Sequence, residues 1–248
     1  MTNRSAVLAR LASLVAAAPR DQPLAVRLCA ACVTILGADG GAITLASTRP
    51  ERLTVSTSDG TSARIEDLQD VLGEGPGQEA FREGRAVVAH VDGERGGPFP
   101  MFTEMAGDIA GDVTVWAIPM HPGGTTIGVI TLYRSTGTLS ESIDDAQFLA
   151  DAVGAALLDD RATAGMAPFA TWSDRARVHQ ATGMIVAQLA ITPDDALAIL
   201  RAHAYAMSAT LDEIAREVVQ RHLTFTHTDL GVSQDATPSD DSTGSGGR

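Results

Sequence analysis

The chain has no lysine: all 18 of its basic side chains are arginine. Together with abundant alanine, that bias points to a GC-rich bacterial genome, a matter of codon usage and not of chemistry. Cysteine is almost as scarce. The two present, Cys29 and Cys32, form a C-x-x-C pair. A redox pair would sit at an exposed helix start with a depressed thiol pKa. These two lie inside an apolar helical stripe with Leu24, Leu28, Val33 and Leu36, and no second pair completes a zinc site, so buried structural thiols are expected. No apolar run approaches the ~20 residues of a membrane span. No charged-then-apolar start with a small-residue cleavage site stands out. A cytoplasmic location without membrane attachment is expected. Glycine-rich phosphate loops and nucleophile elbows are absent as well, and the carboxylates are scattered without an acid–base constellation. No enzyme, no catalytic residue, no metal and no cofactor are expected. His90, at a strand end, and His121, before a proline turn, make a poor haem pair.

Length and charge bound what remains. With 248 residues the chain has room for one large or two modest domains. The formal charge of −13 repels nucleic acid at long range, so any such contact must be local and salt-sensitive.

The first two-thirds alternates short helices and strands. An Ala/Leu-rich amphipathic helix runs from about Ser5 to Ala18, and a second from Leu24 to Leu36 is stopped by Gly37-Ala38-Asp39-Gly40-Gly41. Residues 42–46 and 53–57 read as a hairpin. Short helices follow over 65–72 and 78–82, then a strand over 86–91, a helix over 101–110, and two strong strands over 113–119 and 126–133. A long helix over 143–160 closes the region. Helices at both ends with strands between them predict an α+β fold, an antiparallel sheet covered by helices.

That order resembles the GAF family of bacterial sensory domains. The resemblance is carried by Leu36-Gly37-Ala38-Asp39-Gly40-Gly41-Ala42, by Leu72-Gly73-Glu74-Gly75-Pro76, and by Ala117-Ile118-Pro119-Met120 followed by Ile127-Gly128-Val129-Ile130. It covers roughly residues 20–160. Related sensors often carry a cysteine just after Gly-Glu-Gly-Pro; Gly77 stands there, which argues against thiol-based sensing. The resemblance implies a pocket for a small molecule or a partner between the sheet and its covering loops. The glycine- and proline-rich run 92–100 is the candidate lid. Phe99, Phe102, Met105 and Trp116 are the candidate pocket residues, although Trp116 equally fits a core plug.

Residues 173–225 change grammar to three short amphipathic helices. Ser173 is a candidate start for the first, with Ala176, Ile185, Val186 and Leu189 on its apolar face. Thr192-Pro193-Asp194-Asp195 is a strong start signal for the second: a capping hydroxyl, a proline where no N–H is needed, and two acids at the positive helix end. Ala196, Ile199, Leu200, His203, Ala204 and Met207 recur behind it at helical spacing. Thr210 and Glu213 form a capping box for the third, whose stripe is Leu211, Ile214, Ala215, Val218 and Val219. Spacing by itself gives a generic three-helix bundle.

The residues outside the stripes add to that. Gln180-Ala181-Thr182-Gly183-Met184, Ala196-x-x-x-Leu200-Arg201-x-x-Ala204 and Ile214-Ala215-x-x-Val218-Val219 together resemble the ANTAR family, the RNA-binding antitermination module of bacterial regulators. The family often has lysine where Thr182 stands, and basic residues where Ser208-Ala209-Thr210 stands. The resemblance implies RNA contacts from Arg177, Thr182, Gly183, Arg201, Ala204, Tyr205 and Arg216. Charge supports this weakly. Between Ser173 and Leu223, Arg175, Arg177, Arg201, Arg216 and Arg221 face Asp174, Asp194, Asp195, Asp212, Glu213 and Glu217, a formal −1. Four of those acids belong to helix starts, and His179 and His203 add charge at lower pH.

The expected organisation is an N-terminal helix (1–19), a GAF-like sensory domain (20–162), a linker (163–172), an ANTAR-like three-helix RNA-binding domain (173–225) and a disordered tail (226–248). The expected function is a signal-responsive antitermination regulator whose partners are hairpin RNA in nascent transcripts and a small molecule or protein at the sensory domain. The first helix (Val7, Leu8, Leu11, Leu14, Val15) and the long one (Phe148, Leu149, Ala152, Ala156, Leu157) are expected to pack on each other, within one chain or between two, and a homodimer through them is a further expectation. Two alternatives stay open: a bundle that serves protein or ligand interactions without nucleic acid, and a DNA-binding regulator using Arg216, Gln220 and Arg221.

Overall fold

Local sequence signals set the element boundaries. The computed structural model describes residues 4–46, 52–163 and 172–226. The elements run α1 Arg4–Ala17, α2 Leu24–Leu36, β1 Gly40–Ala46, β2 Arg52–Thr57, α3 Gly60–Leu72, α4 Pro76–Glu83, β3 Val87–Val91, α5 Pro100–Ala110, β4 Val113–Met120, β5 Gly128–Arg134, α6 Ile143–Thr163, α7 Trp172–Leu189, α8 Pro193–Ala206 and α9 Leu211–Val219. Most of the linker, residues 164–171, and of the tail, residues 227–248, lies outside the described residues, as do the side chains of Ser173, Ala176 and His179.

The five strands form one antiparallel sheet in the order β2-β1-β5-β4-β3. The last strand in sequence, β5, is thus the central one, between β1 and β4. Close approach at the β1–β5 seam needs a bare backbone at Gly128: a Cβ there would stand 2.2 Å from the Thr44 carbonyl oxygen.

The period-2 alternation of the strands divides the core in two. On one face Ile43, Leu45, Ile118, Met120, Ile130 and Leu132 pack under α1, α2 and α6. On the other face Ala89, Val113, Val115, Ala117 and Val129 pack under α3, α4 and α5 with Phe99 and Phe102. Helices α1 and α6 meet within one chain: Val7, Leu11, Leu149 and Leu157 share a cluster, and the Arg4 guanidinium lies 5.0 Å from the Phe148 ring centre. Cys29 and Cys32 are buried in this same cluster. Burial holds both thiols protonated, pushing Cys29 up to about 11 and raising Cys32 further still.

Helix α3 is longer than its apolar pattern indicates. Asp59 caps it, accepting from the Ser62 N–H at 2.7 Å, and the helix starts five residues before Ile65. Ile65 and Leu68 face the sheet. Val71, one turn beyond Leu68, belongs to the core of the C-terminal bundle.

That bundle closes on Ala181, Ile185 and Leu189 of α7, Ala196, Leu197, Leu200 and Ala204 of α8, and Ile214, Ala215 and Val218 of α9. Phe225 seals it, its N–H donating to Gln188 Oε1 and its ring meeting His203 edge-on. Both expected caps form. Thr192 Oγ1 accepts from the Asp195 N–H, while Thr210 and Glu213 exchange the reciprocal bonds of a capping box. The expected α8 stripe needs one correction. Met207 is exposed because the helix stops at Ala206, and Leu197 takes the core place instead.

Candidate nucleic-acid interface and sensor contacts

The bundle does not stand apart from the sheet domain. Helices α8 and α9 pack on α3, with Val71 inserted among the bundle's apolar side chains. Arg201 of α8 donates from Nε to the Asp70 carbonyl oxygen at 2.8 Å. That carbonyl is in the last turn of α3, where free acceptors and the negative end of the helix dipole favour a guanidinium.

Arg177 and Arg216 are brought together elsewhere, on one carboxylate. Arg177 donates from Nε to Asp212 Oδ1 at 3.1 Å and from a terminal nitrogen to Oδ2 at 3.3 Å. Arg216 donates to the same Oδ2 at 2.6 Å. Two guanidiniums thus share one carboxylate. The three arginines expected to meet RNA are therefore split between two places, and each is held by an intramolecular acceptor.

The other expected RNA contacts divide by exposure. Gly183 lies on the open face of α7, with nothing within 4 Å of a Cβ added there. Tyr205 is 45% exposed. Thr182 and Ala204 are buried, which corrects their place among surface contacts. The Thr182 hydroxyl donates to the Val178 carbonyl one turn back at 2.8 Å, so it completes the bundle interior. Gln220 and Arg221 lie past the end of α9, and Arg221 turns the chain with φ of 61°. A groove-reading helix carrying Arg216, Gln220 and Arg221 along one face does not form.

The expected sensor pocket is corrected by strand parity. Phe99 and Phe102 are buried beneath α5, where they fill the lower face of the sheet. Trp116 pairs with Leu132 in register and points with Ile118 and Met120 to the opposite face. It cannot share a pocket with Phe102. Met105 instead lines a cleft between α3 and α5 on one side and α8 and α9 on the other, together with Ala204 and Tyr205. Residues expected in two separate sites thus meet across the domain boundary.

Charge at that boundary was not visible from either domain. Asp67 and Asp70 of α3 approach Asp212 and Glu213 of α9. Burial, then Asp70, Glu213 and Asp212, push the Asp67 carboxyl up to about 6, even though its side chain still meets solvent. Glu213 is held below the usual carboxylate range by the Thr210 N–H and hydroxyl of the capping box.

The Gly-Glu-Gly-Pro block has a structural role. Glu74 Oε1 accepts from the Met101 and Phe102 N–H groups at 3.0 and 3.1 Å, capping α5 in place of a local side chain. Gln69 Oε1 accepts from the Gly77 N–H at 2.6 Å. Gly75, with φ of 142°, lets this happen, since a Cβ there would stand 2.6 Å from the Gln69 side chain. Asp39 of the other glycine-rich block accepts from the Ser135 N–H and hydroxyl at 2.7 and 2.6 Å, and the hydroxyl leads in holding its carboxyl low. Of the two histidines considered for haem, His121 is held, its Nδ1 3.0 Å from Asp151, whereas His90 is exposed with its Nε2 3.6 Å from Asp112. Among the described residues, no group of three or more His, Cys, Asp or Glu could hold a metal ion, and no single helix is long and apolar enough to cross a membrane.

Two family models match the chain, a GAF domain over residues 22–158 and an ANTAR domain over residues 170–219. Among solved structures, the nlh2 GAF domain of A. aeolicus in an inactive state is 15% identical, covering 61% of this chain and 90% of that one with a TM-score of 0.42. The GAF-B domain of DevS from Mycobacterium smegmatis is 16% identical, covering 66% of this chain and 100% of that one with a TM-score of 0.39. A GAF domain/HD domain protein from Geobacter sulfurreducens is 12% identical, covering 63% and 97% with a TM-score of 0.41. No curated protein matches. The GAF match spans more than half of the chain, and the five-stranded antiparallel sheet with its helices is the fold such a domain requires. The chain belongs to the GAF domain family and carries an ANTAR domain behind it.

Proposed function

We propose that this chain is a signal-responsive antitermination regulator whose GAF domain holds the ANTAR bundle in a docked state. A GAF domain followed by an ANTAR domain is the architecture of a sensor–output regulator. Released from α3, the bundle presents Arg201 and Tyr205 together with the Arg177–Arg216 pair to hairpin RNA in a nascent transcript. Stabilising such a hairpin disfavours a competing terminator stem. A small molecule or partner at the GAF domain sets the balance between docked and released states. The protein works in the cytoplasm as a homodimer and has no catalytic step.

The observation that carries this reading is the Arg201–Asp70 bond beside the buried Val71: a residue expected to contact RNA is spent on the sensor domain. Phosphate affinity depends on cations that can leave their protein partners. The test is a gel-shift titration of a two-hairpin RNA at low salt. Arg177→Ala is expected to weaken binding and to lower the slope of log affinity against log salt by about one unit. Absence of any shift at low salt, with a folded protein, overturns the reading. A second reading also has support. Because Arg177, Arg201 and Arg216 all have carboxylate or carbonyl acceptors within the chain, a bundle serving only protein interactions fits the same geometry, and that outcome of the titration would favour it.

A further inference from the structure

We propose that the cleft between the GAF and ANTAR domains is a binding site for a small organic ammonium ion with an apolar arm. The cleft encloses about 300 Å³ between α3 and α5 on the GAF side and α8 and α9 on the ANTAR side. That volume lies at the lower end for small-molecule sites. It is separate from the space between the sheet and α3, where the lining residues leave no room for even a water-sized body.

The walls define the ligand. Leu68, Val71, Met105 and Ile109 give an apolar floor from the GAF domain, and Ala204 and Ala209 face them from the bundle. Three carboxylates, Asp67, Asp108 and Glu213, stand at the same cleft against one guanidinium, Arg64. Behind them Asp70 and Asp212 add to the negative field at Asp67. Arg95, on the loop nearby, is already paired with Glu104. Tyr205 also lines the cleft, bringing an aromatic ring of the kind that attracts cations. An anion would meet three carboxylates, and a neutral apolar molecule would gain nothing from them. An ammonium group neutralises charges that repel one another across the domain seam, while its arm covers the floor.

Such a ligand touches both walls, so it binds the docked arrangement better than the released one and shifts the population toward it. This part rests on the docking control proposed above, and the readouts below separate the two. The full-length protein is titrated by calorimetry with 2-phenylethylamine, with 2-phenylethanol and phenylacetate as neutral and anionic analogues, at about pH 7.5, above the value of about 6 to which Asp67 is raised. The amine is expected to saturate one site with a dissociation constant on the order of a millimolar, the range open to a fragment of this size. It should bind at least about fivefold tighter than the alcohol, since one charge-assisted contact gives that much. Asp67→Asn and Asp108→Asn should each weaken it by about threefold or more, because both remove a charge at the exposed rim without touching the core. Equal affinity for all three probes, no saturation by the amine, or unchanged binding in both variants overturns the site. If the amine binds as expected but leaves hairpin-RNA affinity unchanged, the site stands and the docking control fails.

Discussion

Replacing Val71 by aspartate tests whether the bundle is held on the GAF domain. Val71 is 8% exposed and packs in the bundle core, while its helix keeps Ile65 and Leu68 for the sheet. The substitution therefore spares the GAF interior. Withdrawing a valine side chain from that interface forfeits about 1.5–2 kcal/mol of apolar burial. The new carboxylate adds repulsion from Asp67, Asp70, Asp212 and Glu213, worth about 1 kcal/mol in a seam that water reaches. Together these shift the docked state by roughly 2.5–3 kcal/mol, a factor of about 60–150 in its equilibrium constant. Hydrogen exchange along α8 and α9 should rise while that of the sheet strands stays unchanged. Hairpin-RNA affinity should increase by up to the docked-to-released ratio, because binding no longer works against the docked population. Val71→Ala should show the same effects at about 1 kcal/mol. Unchanged exchange in the bundle, or unchanged or weaker RNA binding by a folded Val71→Asp protein, refutes the reasoning.

Docking should also depend on pH through Asp67. Its docked pKa, about 6, lies above the ordinary 3.8, so between those values the docked form holds a proton that the released form lacks. Docking is thus firmest below about pH 4 and weakens as pH rises through about 6. A shift of about two units corresponds to roughly 3 kcal/mol, which solvent at this partly open side chain reduces to about 1. Hydrogen exchange of α8 followed against pH should show this step in the wild type and lose it in Asp67→Asn. Glu74→Ala removes the acceptor of two α5 N–H groups and should cost about 1–2 kcal/mol in urea unfolding, with exchange rising first at Met101 and Phe102. Gly128→Ala drives a Cβ into the β1 backbone and should cost at least about 2 kcal/mol, seen as a lowered melting temperature; a neutral effect would mean the β1–β5 seam can open without loss.

What could be read from the chain, and what could not, follows from how far each signal reaches. Thr192-Pro193 and Thr210-x-x-Glu213 were legible because a cap is settled within four residues. The strands around His121-Pro122-Gly123-Gly124 were legible because their turn is local. Trp116 was not. Strand β4 is buried on both faces from Val115 to Met120, so apolar residues occupy both parities and the pattern cannot say which face holds the tryptophan. The cap on α5 was hidden because its acceptor, Glu74, lies 27 residues upstream of the N–H it binds. Thr182 and Ala204 carry family resemblance without marking surface; a small residue at helical spacing fits an interior as well as a contact. Val71 followed the helical period of its own segment and gave no sign that its partners lay in another domain, from Val178 onward.

The double membership of α3 has a thermodynamic consequence. One rigid helix supplies Ile65 and Leu68 to the sensor core and Val71 to the output core, so neither core can reshape its share of the helix privately. On the function proposed above, linkage would work in both directions: whatever factor a signal at the GAF domain imposed on RNA affinity, RNA would impose on the affinity for that signal. A transcript carrying the right hairpins would itself be an effector of the sensor, and the fraction of protein answering the signal would depend on how much target RNA the cell is making.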